Sequence, residues 1–346
     1  MARSISLATR RCHSRCLFSA ISIRPFTASA PHHDFQDPRV SDLGPTIKDD
    51  YATIRAKYQK PKNPIVLAHG LLGFDELHLI GKLLPGVHYW RGITEALETK
   101  NIEVILTSVP PSASIEERAA KLSHDIEKKA RGKSVNIIAH SMGGLDARYM
   151  ISRLKPPNVK VLSLTTVASP HRGSAFADYV FEQIGPENLP RVYRALQLMR
   201  VETGAFSQLT RRYMMKDFNP KTPDREGVRY FSYGAMATPS LWSAFRQPHR
   251  IVEAEEGPND GLVSVASSRW GTYKGTLVDV SHLDLINWTN RLRWLVWEMT
   301  GNKRNFNAIA FYLDIAGRLA MSMLTYGAKE TNQGDLLEDM LAQEGY

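Results

Sequence analysis

The sequence predicts an α/β fold in which a mostly parallel sheet is covered by helices on both faces. Short apolar runs rich in Ile, Val and Leu, without polar alternation, are typical of strands buried on both faces. Such runs are "PIVLAHG", "IEVILTSVP", "SVNIIAH" and "VKVLSLTTVAS". Helical patterns separate them, including an amphipathic one over 115–129 and another over 142–154. An alternation of strand and helix favours parallel winding.

Two further strands are predicted at "VRYFSYGA" and, less distinctly, at "GTLVDV". Between the strand that ends at Ser169 and the one at Val228 lies a long insertion, residues 172–226. It contains three helical patterns, "FADYVFEQI", "LPRVYRALQLM" and "FSQLTRRYMM". Long connections inside an α/β domain are uncommon and usually functional. We therefore predict that the insertion forms a helical lid.

The first 30 residues have the composition of a targeting segment. Their arginines are Arg3, Arg10, Arg11, Arg15 and Arg24, and the first acidic residue of the chain is Asp34. Arginines among serines without acids are typical of a mitochondrial presequence, whereas a secretory signal needs an unbroken apolar segment of about 7 to 15 residues. The alternative is a disordered basic tail. We predict mitochondrial import, with cleavage after Phe26.

The same leader decides how the net charge and the cysteines are interpreted. The formal net charge is +9, but the leader arginines supply more than half of it. Elsewhere basic residues are balanced by acids without a basic block, so nucleic-acid binding is not predicted. Cys12 and Cys16 are the only cysteines of the chain. Cleavage would leave no thiol for a disulfide, a zinc–cysteine site or thiol catalysis.

The predicted organisation is a presequence over 1–30, a polar, proline-bearing linker over 31–50, a central domain over 51–302, an amphipathic helix over 303–327 and an acidic tail over 328–346. The helix has an apolar face. That face comprises Phe306, Ile309, Leu313, Ala316, Ala320 and Leu324. It can pack on the domain or lie on a membrane surface, and we favour packing. No apolar run is long enough to predict a transmembrane helix.

Ser141, in the stretch "VNIIAHSMGGLDARYM", is the first candidate for chemistry. A serine hydroxyl becomes a nucleophile only when a base removes its proton. Ser141 stands between a predicted strand and a predicted helix, with Ala139 and Gly143 two residues away on either side. This is the nucleophile-elbow pattern, with alanine in place of the first glycine. A serine in an ordinary tight turn is the alternative, and we predict the nucleophile.

A negatively charged intermediate would need two backbone N–H donors beside Ser141. The amide of Met142, which opens the following helix, is one candidate. The other is the amide of Leu71 in "LAHGLLGFDEL", after the first long strand. Gly70 and Gly73 could equally be simple turn glycines.

The base and the acid are predicted from their order along the chain. In α/β-hydrolases the acid and then the histidine follow the serine, which leaves His171, His249 and His282 as candidates for the base. His171 precedes any plausible acid and is assigned a structural role. His282 follows a predicted strand, and Asp260 lies before it in a turn-rich loop. Asp260 would orient the imidazole, and His282 would take the proton of Ser141.

With these residues in place, the chain resembles the bacterial triacylglycerol lipases of the pseudomonad type and their eukaryotic mitochondrial relatives. The matching segments are "VLAHGLLGFDEL", "AHSMGGLDARY", "VASPHRGSAFADY", "NDGLVSVASSRWG" and "SHLDLIN". The resemblance implies an α/β-hydrolase fold and the same roles for Ser141, Asp260 and His282, with the amides of Leu71 and Met142 as oxyanion donors. It also implies a lid over an apolar acyl cleft.

One departure concerns calcium. The resemblance implies a structural calcium held by two aspartates, and Asp284 matches one of them. The segment that should contain the other, "GAMATPSLWSAFRQPHRIVEAEE", has no aspartate. Because calcium needs about six oxygen ligands, no metal and no cofactor are predicted. Hydrogen bonding that steadies the His282 loop is the simpler role for Asp284.

The sequence therefore predicts a serine ester hydrolase that cleaves acylglycerols or other lipid esters through an acyl-enzyme, with contact to a lipid surface. A phospholipase, an esterase for soluble esters and an acyltransferase would use the same residues and stay open. A non-catalytic, membrane-docking scaffold is the alternative outside enzymes. A scaffold has no physical need for the complete set of predicted catalytic residues, which argues against it.

Overall fold

Seven parallel strands form one sheet in the described part of the chain, as seen in a computed structural model. They are β1 (Thr46–Ile47), β2 (Ile65–Ala68), β3 (Val104–Leu106), β4 (Val135–His140), β5 (Val161–Val167), β6 (Arg229–Met236) and β7 (Thr272–Val278). Their order across the sheet is β1-β7-β6-β5-β4-β2-β3, and every neighbouring pair is parallel. The predicted parallel α/β architecture is confirmed.

The structure describes residues 42–48, 50–51, 54–55, 57–71, 89–182, 204–240, 243, 245–288 and 306–330. The chain divides into two units, Met1–Phe35 and Gln36–Tyr346, and every described residue belongs to the second. The predicted presequence and the acidic tail beyond residue 330 lie outside the described residues. So does the middle of the insertion, residues 183–203.

Strand β1 corrects the predicted linker over 31–50. Thr46 and Ile47 pair with Thr276 and Leu277 of β7 at the edge of the sheet, and Arg269 binds the side chain of Asp42 at 2.7 Å. Residues 42–48 therefore belong to the folded domain. Two residues are too few to give a periodic pattern, so the strand has no signal in the sequence.

The main helices are α1 (Ile93–Thr99), α2 (Ile115–Ala130), α3 (Gly143–Tyr149), α4 (Gly204–Gln208), α5 (Arg211–Tyr213), α6 (Asn219–Lys221), α7 (Arg246–Glu256), α8 (Val265–Ser268) and α9 (Ala308–Glu330). Helix α3 continues as a π-helical turn over Met150–Leu154, and a similar turn, Met214–Phe218, joins α5 to α6. Asp284–Ile286 form one 3₁₀ turn. In the insertion, residues 175–182 are also helical.

The sheet is covered on both faces by apolar clusters of different helices. One cluster joins β2, β4 and β6 to α1 and α9, and includes Ile65, Ile93 and Phe311. The other joins the opposite face to α2 and α3, and includes Val66, Leu122 and Ala147. Successive residues of β2, Ile65 and Val66, therefore face opposite clusters, as the two-residue period of a strand requires.

Two helices follow from local sequence signals. Ser114 caps α2 in a capping box with Glu117, which satisfies amides that the first turn leaves unpaired. The helix over 303–327 begins at Ala308 in the structure, and most of its described side chains are buried against the sheet. The helix therefore packs on the domain, which is the alternative that the sequence favoured over a position on a membrane surface. Within the described ranges, none of the helices has the length and apolar character needed to cross a membrane.

Candidate active site

Ser141 occupies a sharp turn between β4 and α3 at the carboxyl edge of the sheet. Its φ angle is +55°, a conformation that is uncommon for a residue with a side chain and that concentrates at functional sites. The turn is held because the Ser141 amide donates to the carbonyl of Val167 at the end of β5, at 3.0 Å. The strained turn presents the hydroxyl at the edge where parallel sheets place ligands.

Two glycines allow this turn to sit close to its neighbours. A Cβ at Gly143 would lie 2.6 Å from the carbonyl oxygen of Ala68, so α3 can begin against the end of β2 only with glycine there. A Cβ at Gly70 would lie 2.7 Å from the Cβ of Ser141. The turn after β2 therefore lies directly against the serine.

The structure brings Ser141, His282 and Asp260 into one hydrogen-bonded chain. The distance from Ser141 Oγ to His282 Nε2 is 3.0 Å, and the distance from His282 Nδ1 to Asp260 Oδ2 is 2.7 Å. The Asp260 carboxyl group is buried, and the His282 side chain is only 6% exposed. These are the distances that a nucleophile, a base and an orienting acid need.

The loop of Asp260 is itself fixed. Asp260 Oδ1 accepts the amides of Leu262 at 3.0 Å and Val263 at 2.9 Å. The backbone amide of His282 donates to the carbonyl of Asp260 at 2.9 Å. The two amide bonds hold the Asp260 carboxyl group in place, and the backbone bond joins its loop to that of His282.

His140, beside the serine in sequence, supports the base without entering the chain of three. Its ring centroid lies 4.5 Å from that of His282. Its Nδ1 lies 2.6 Å from the hydroxyl oxygen of Tyr89, and Tyr89 Oη accepts the amide of Gly70 at 3.0 Å. Burial, with a smaller contribution from His282, holds the pKa of His140 well below its ordinary value. His140 is therefore a neutral side chain that packs against the imidazole of His282.

The turn after β2 is anchored by Arg118 of helix α2. Its Nη2 donates to the carbonyls of His69 at 2.9 Å and Gly70 at 3.1 Å. Its Nη1 donates to the carbonyl of Pro110 at 2.8 Å, and Nη2 lies 2.8 Å from Asp146 Oδ2. Both charged side chains are buried. The guanidinium thus fixes the peptide groups that precede Leu71.

The two predicted oxyanion donors belong to residues near the serine. Met142 follows Ser141 at the start of α3 and is fully buried. Leu71 follows Gly70, which contacts Ser141, and its side chain packs against the cluster that contains Met142. Both amides therefore belong to segments next to Ser141.

The other candidate histidines lie elsewhere. His249 is on α7, 3.5 Å from Glu253. His171 is buried, with Nε2 2.9 Å from Thr166 Oγ1, and Arg148 Nη1 lies 3.3 Å from its Nδ1. Burial, together with the charge of Arg148, holds the pKa of His171 well below its ordinary value. Neither histidine contacts Ser141.

The carboxylate of Asp284 accepts hydrogen bonds from its own loop. Its Oδ2 accepts the amide of Ser281 at 3.0 Å and the hydroxyl of Ser281 at 2.6 Å. The described residues hold no group of three or more His, Cys, Asp or Glu side chains arranged to bind a metal. The region that should supply the second calcium-binding aspartate has none. These donors do not fit the implied calcium site, and Asp284 acts as a brace two residues from His282.

Three polar side chains that support the site, Tyr89, Arg118 and Asp146, were not predicted from the sequence. Arg118 had a signal. It follows Ile115 by three residues and so lies on the apolar face of α2, where a charge has to be paired. Asp146 lies in a helix that is buried on all sides. Tyr89 had no local sequence pattern to mark it.

Together, a parallel sheet, a serine at a strained strand–helix turn, and an acid and a histidine on later loops of the same edge define the class of α/β-hydrolases. The family model of palmitoyl protein thioesterases matches residues 64–218. Triacylglycerol lipase 2 of Saccharomyces cerevisiae is 40% identical, and the match covers 78% of this chain and 95% of the yeast protein. The chain belongs to the family of triacylglycerol lipases and is an enzyme of that family.

More distant relatives agree with this placement. A triacylglycerol lipase of Vibrio cholerae is 28% identical over 68% of this chain and 83% of its own length. The crystal structure of Staphylococcus hyicus lipase matches with a TM-score of 0.54 at 20% identity, over 79% of this chain and 98% of that one. The mature Bacillus licheniformis lipase matches with a TM-score of 0.53 at 19% identity, over 72% and 96%. At these identities the two crystal structures support the fold.

Proposed function

We propose that the protein is a lipase that hydrolyses acylglycerol esters through an acyl-enzyme on Ser141. The observation that supports it most is the continuous contact from Ser141 Oγ to His282 Nε2, at 3.0 Å, and from His282 Nδ1 to Asp260 Oδ2, at 2.7 Å. The carboxylate of Asp260 fixes the tautomer in which Nε2 faces the serine with its lone pair.

The proposed reaction has two halves. His282 takes the proton of Ser141 as its oxygen attacks the ester carbonyl carbon, and the amides of Leu71 and Met142 bind the resulting oxyanion. His282 then gives the proton to the departing alcohol, which leaves an acyl-enzyme. In the second half His282 takes a proton from water, the hydroxide attacks the acyl carbon, and the fatty acid is released as Ser141 recovers its proton.

The decisive experiment compares the wild-type chain with Ser141→Ala on emulsified triacylglycerol, phospholipid and short soluble esters. We expect the wild type to act best on emulsified triacylglycerol, and the variant to lose activity by at least about 10⁴-fold because triad members act as a unit. Ser134→Ala, at the other end of β4, is the matched control and should keep full activity. Equal thermal unfolding of all three proteins shows that the loss is chemical.

The same panel separates the alternatives. Preference for phospholipid or for soluble esters would identify a phospholipase or an esterase, and ester synthesis with added alcohol would identify an acyltransferase. A palmitoyl thioester belongs in the panel because the matching family model is that of thioesterases. A wild type that is no more active than Ser141→Ala on any ester would favour the scaffold.

We further propose that the enzyme is imported into mitochondria by residues 1–26. The support is compositional, since five arginines occur there among serines and without an acid. Fused to a neutral reporter, these residues should direct it into mitochondria. A matched fusion with the five arginines changed to glutamine should leave the reporter in the cytosol. A wild-type fusion that stays in the cytosol would refute the proposal.

A further inference from the structure

A second groove lies between helix α9 and the sheet, away from Ser141. It measures about 350 Å³, including its open mouth, and shares no residue with the candidate triad. Its lining comprises Thr165, Phe231, Tyr233, Lys274, Ile315, Arg318, Leu319 and Ser322. Phe231 and Lys274 stand near the starts of β6 and β7, whereas the loops of Asp260 and His282 belong to the carboxyl edge. Half of these residues are apolar or aromatic, and most of the exposed surface of the groove is apolar.

The groove also carries excess positive charge. Lys274 has no acidic partner among the described residues, and its ammonium nitrogen lies 4.9 Å from the centroid of the Phe231 ring. Arg318 donates through Nε to Asp314 at 2.6 Å, but Arg55 shares the same carboxylate at 3.5 Å. Two arginines thus share one acid, and the positive charge of Lys274 is not balanced by an ion pair among the described residues. Burial lowers the pKa of Lys274, and the nearby charge of Arg318 lowers it further.

A buried hydroxyl also lines the groove. Thr165 is 1% exposed, and its Oγ1 has no hydrogen-bond partner in the described part of the chain. A buried polar atom without a partner destabilises the fold that contains it. The residues before and after it in β5, Leu164 and Thr166, face the opposite side of the sheet, where Leu164 belongs to the cluster of α2 and α3. Thr165 therefore presents an unused donor and acceptor on the α9 side.

We propose that this groove binds a long-chain fatty acid, with the carboxylate at Lys274 and Arg318 and the start of the acyl chain along Phe231, Ile315 and Leu319. An apolar lining with cations beside it complements an anionic amphiphile. A free inorganic anion would leave the lining unfilled. The site does not depend on the proposed esterase activity.

Photolabelling tests the site in the full-length chain. The probe is a diazirine-bearing palmitic acid, and the protein carries Ser141→Ala so that turnover does not complicate binding. Labelled peptides are identified by mass spectrometry. We expect labels in the peptides that contain residues 229–236 and 315–322, and we expect Lys274→Gln to weaken their labelling about fivefold. Lys100→Gln, an exposed lysine on the opposite edge of the domain, is the matched control and should leave labelling unchanged.

A second variant tests the groove without changing any charge. Thr165→Val keeps the shape of the side chain and removes its hydroxyl, and we expect weaker labelling of the same peptides without loss of folding. A diazirine-bearing phosphatidylglycerol in vesicles forms the other arm. Labels confined to peptides around residue 141 would overturn the proposal. So would equal labelling of Lys274→Gln and Lys100→Gln, or labelling of the groove by the phospholipid and not by the fatty acid.

Discussion

Arg118, on helix α2, and Arg148, on helix α3, are both fully buried, but the protein accommodates their charges in different ways. Arg118 contacts a carboxylate, that of Asp146, with its Nε at 2.9 Å. Arg148 has no carboxylate at ion-pair distance among the described residues. Its guanidinium carbon lies 3.5 Å from the centroid of the Trp270 ring, and its Nη1 donates to Asn219 Oδ1 at 2.9 Å.

The difference follows from what each arginine holds. Arg118 supports carbonyls beside Ser141, and its ion pair fixes it from the other side. Arg148 reaches the end of the insertion, where its Nη2 donates to the carbonyl of Thr222 at 3.1 Å, and burial lowers its pKa to about 9. Burial also raises the pKa of Asp146 to about 6 against the opposing effect of Arg118. Removing the paired arginine and removing the unpaired one should therefore lower the unfolding free energy by different amounts.

Arg118→Met tests the paired case and should have the largest effect. It leaves Asp146 as a buried charge without a partner, which costs about 3 to 5 kcal/mol of unfolding free energy. It also frees the carbonyls of His69 and Gly70, so the Leu71 amide loses its fixed position. We expect kcat/KM of the folded variant to fall about 100-fold. Urea denaturation and ester hydrolysis measure the two effects.

The double variant Arg118→Met/Asp146→Leu is the control. Replacing both partners by apolar residues should recover much of the stability. It should not recover kcat/KM, because the carbonyls before Leu71 still lack their donor. Recovery of full activity together with stability would show that Arg118 serves the fold and not the oxyanion turn.

Glu256, at the end of α7, extends the comparison to an acid whose direct partners are neutral. Its Oε1 accepts the amide of Ala175 and its Oε2 accepts the hydroxyl of Ser264, each at 2.5 Å. Burial raises its pKa from 4.5 to about 7, with Asp178 adding to the rise and Arg211 opposing it. Between these two values the native state binds a proton that the unfolded state does not. Stability from this group therefore falls as pH rises from about 4.5 to about 7.

Glu256→Gln should remove this pH dependence. We expect the unfolding free energy of the variant, relative to wild type, to increase by up to about 3 kcal/mol between pH 5 and pH 8. Urea denaturation at both pH values measures it. The exposed neighbour Glu255 supplies the control, since Glu255→Gln should show little change with pH. A Glu256→Gln variant whose relative stability is the same at both pH values would contradict the buried-acid interpretation.

The sequence predicts the fold and the triad better than it predicts these supports. Strands β2, β4 and β5 lie in short runs rich in Ile, Val and Leu, and Ser141 has a local pattern, so both can be recognised without the structure. Asp260 and His282 could be placed because their order along the chain is constrained. The partners of Arg148, by contrast, come from segments about 70 and 120 residues further on, at Asn219 and Trp270. No local pattern encodes such contacts, because they depend on how the insertion returns to the sheet.

Arg148→Met is the counterpart of Arg118→Met and should have the smaller effect. It leaves no buried carboxylate behind, and the methionine can still pack on Trp270. The losses are the cation–π contact and the bonds to Asn219 and Thr222, which together suggest about 2 kcal/mol of unfolding free energy. Arg148→Lys should not rescue the variant, because an ammonium cannot stack as a plane while donating to both partners. If urea denaturation gave Arg148→Met the same cost as Arg118→Met, the presence of an acidic partner would not be what separates the two sites.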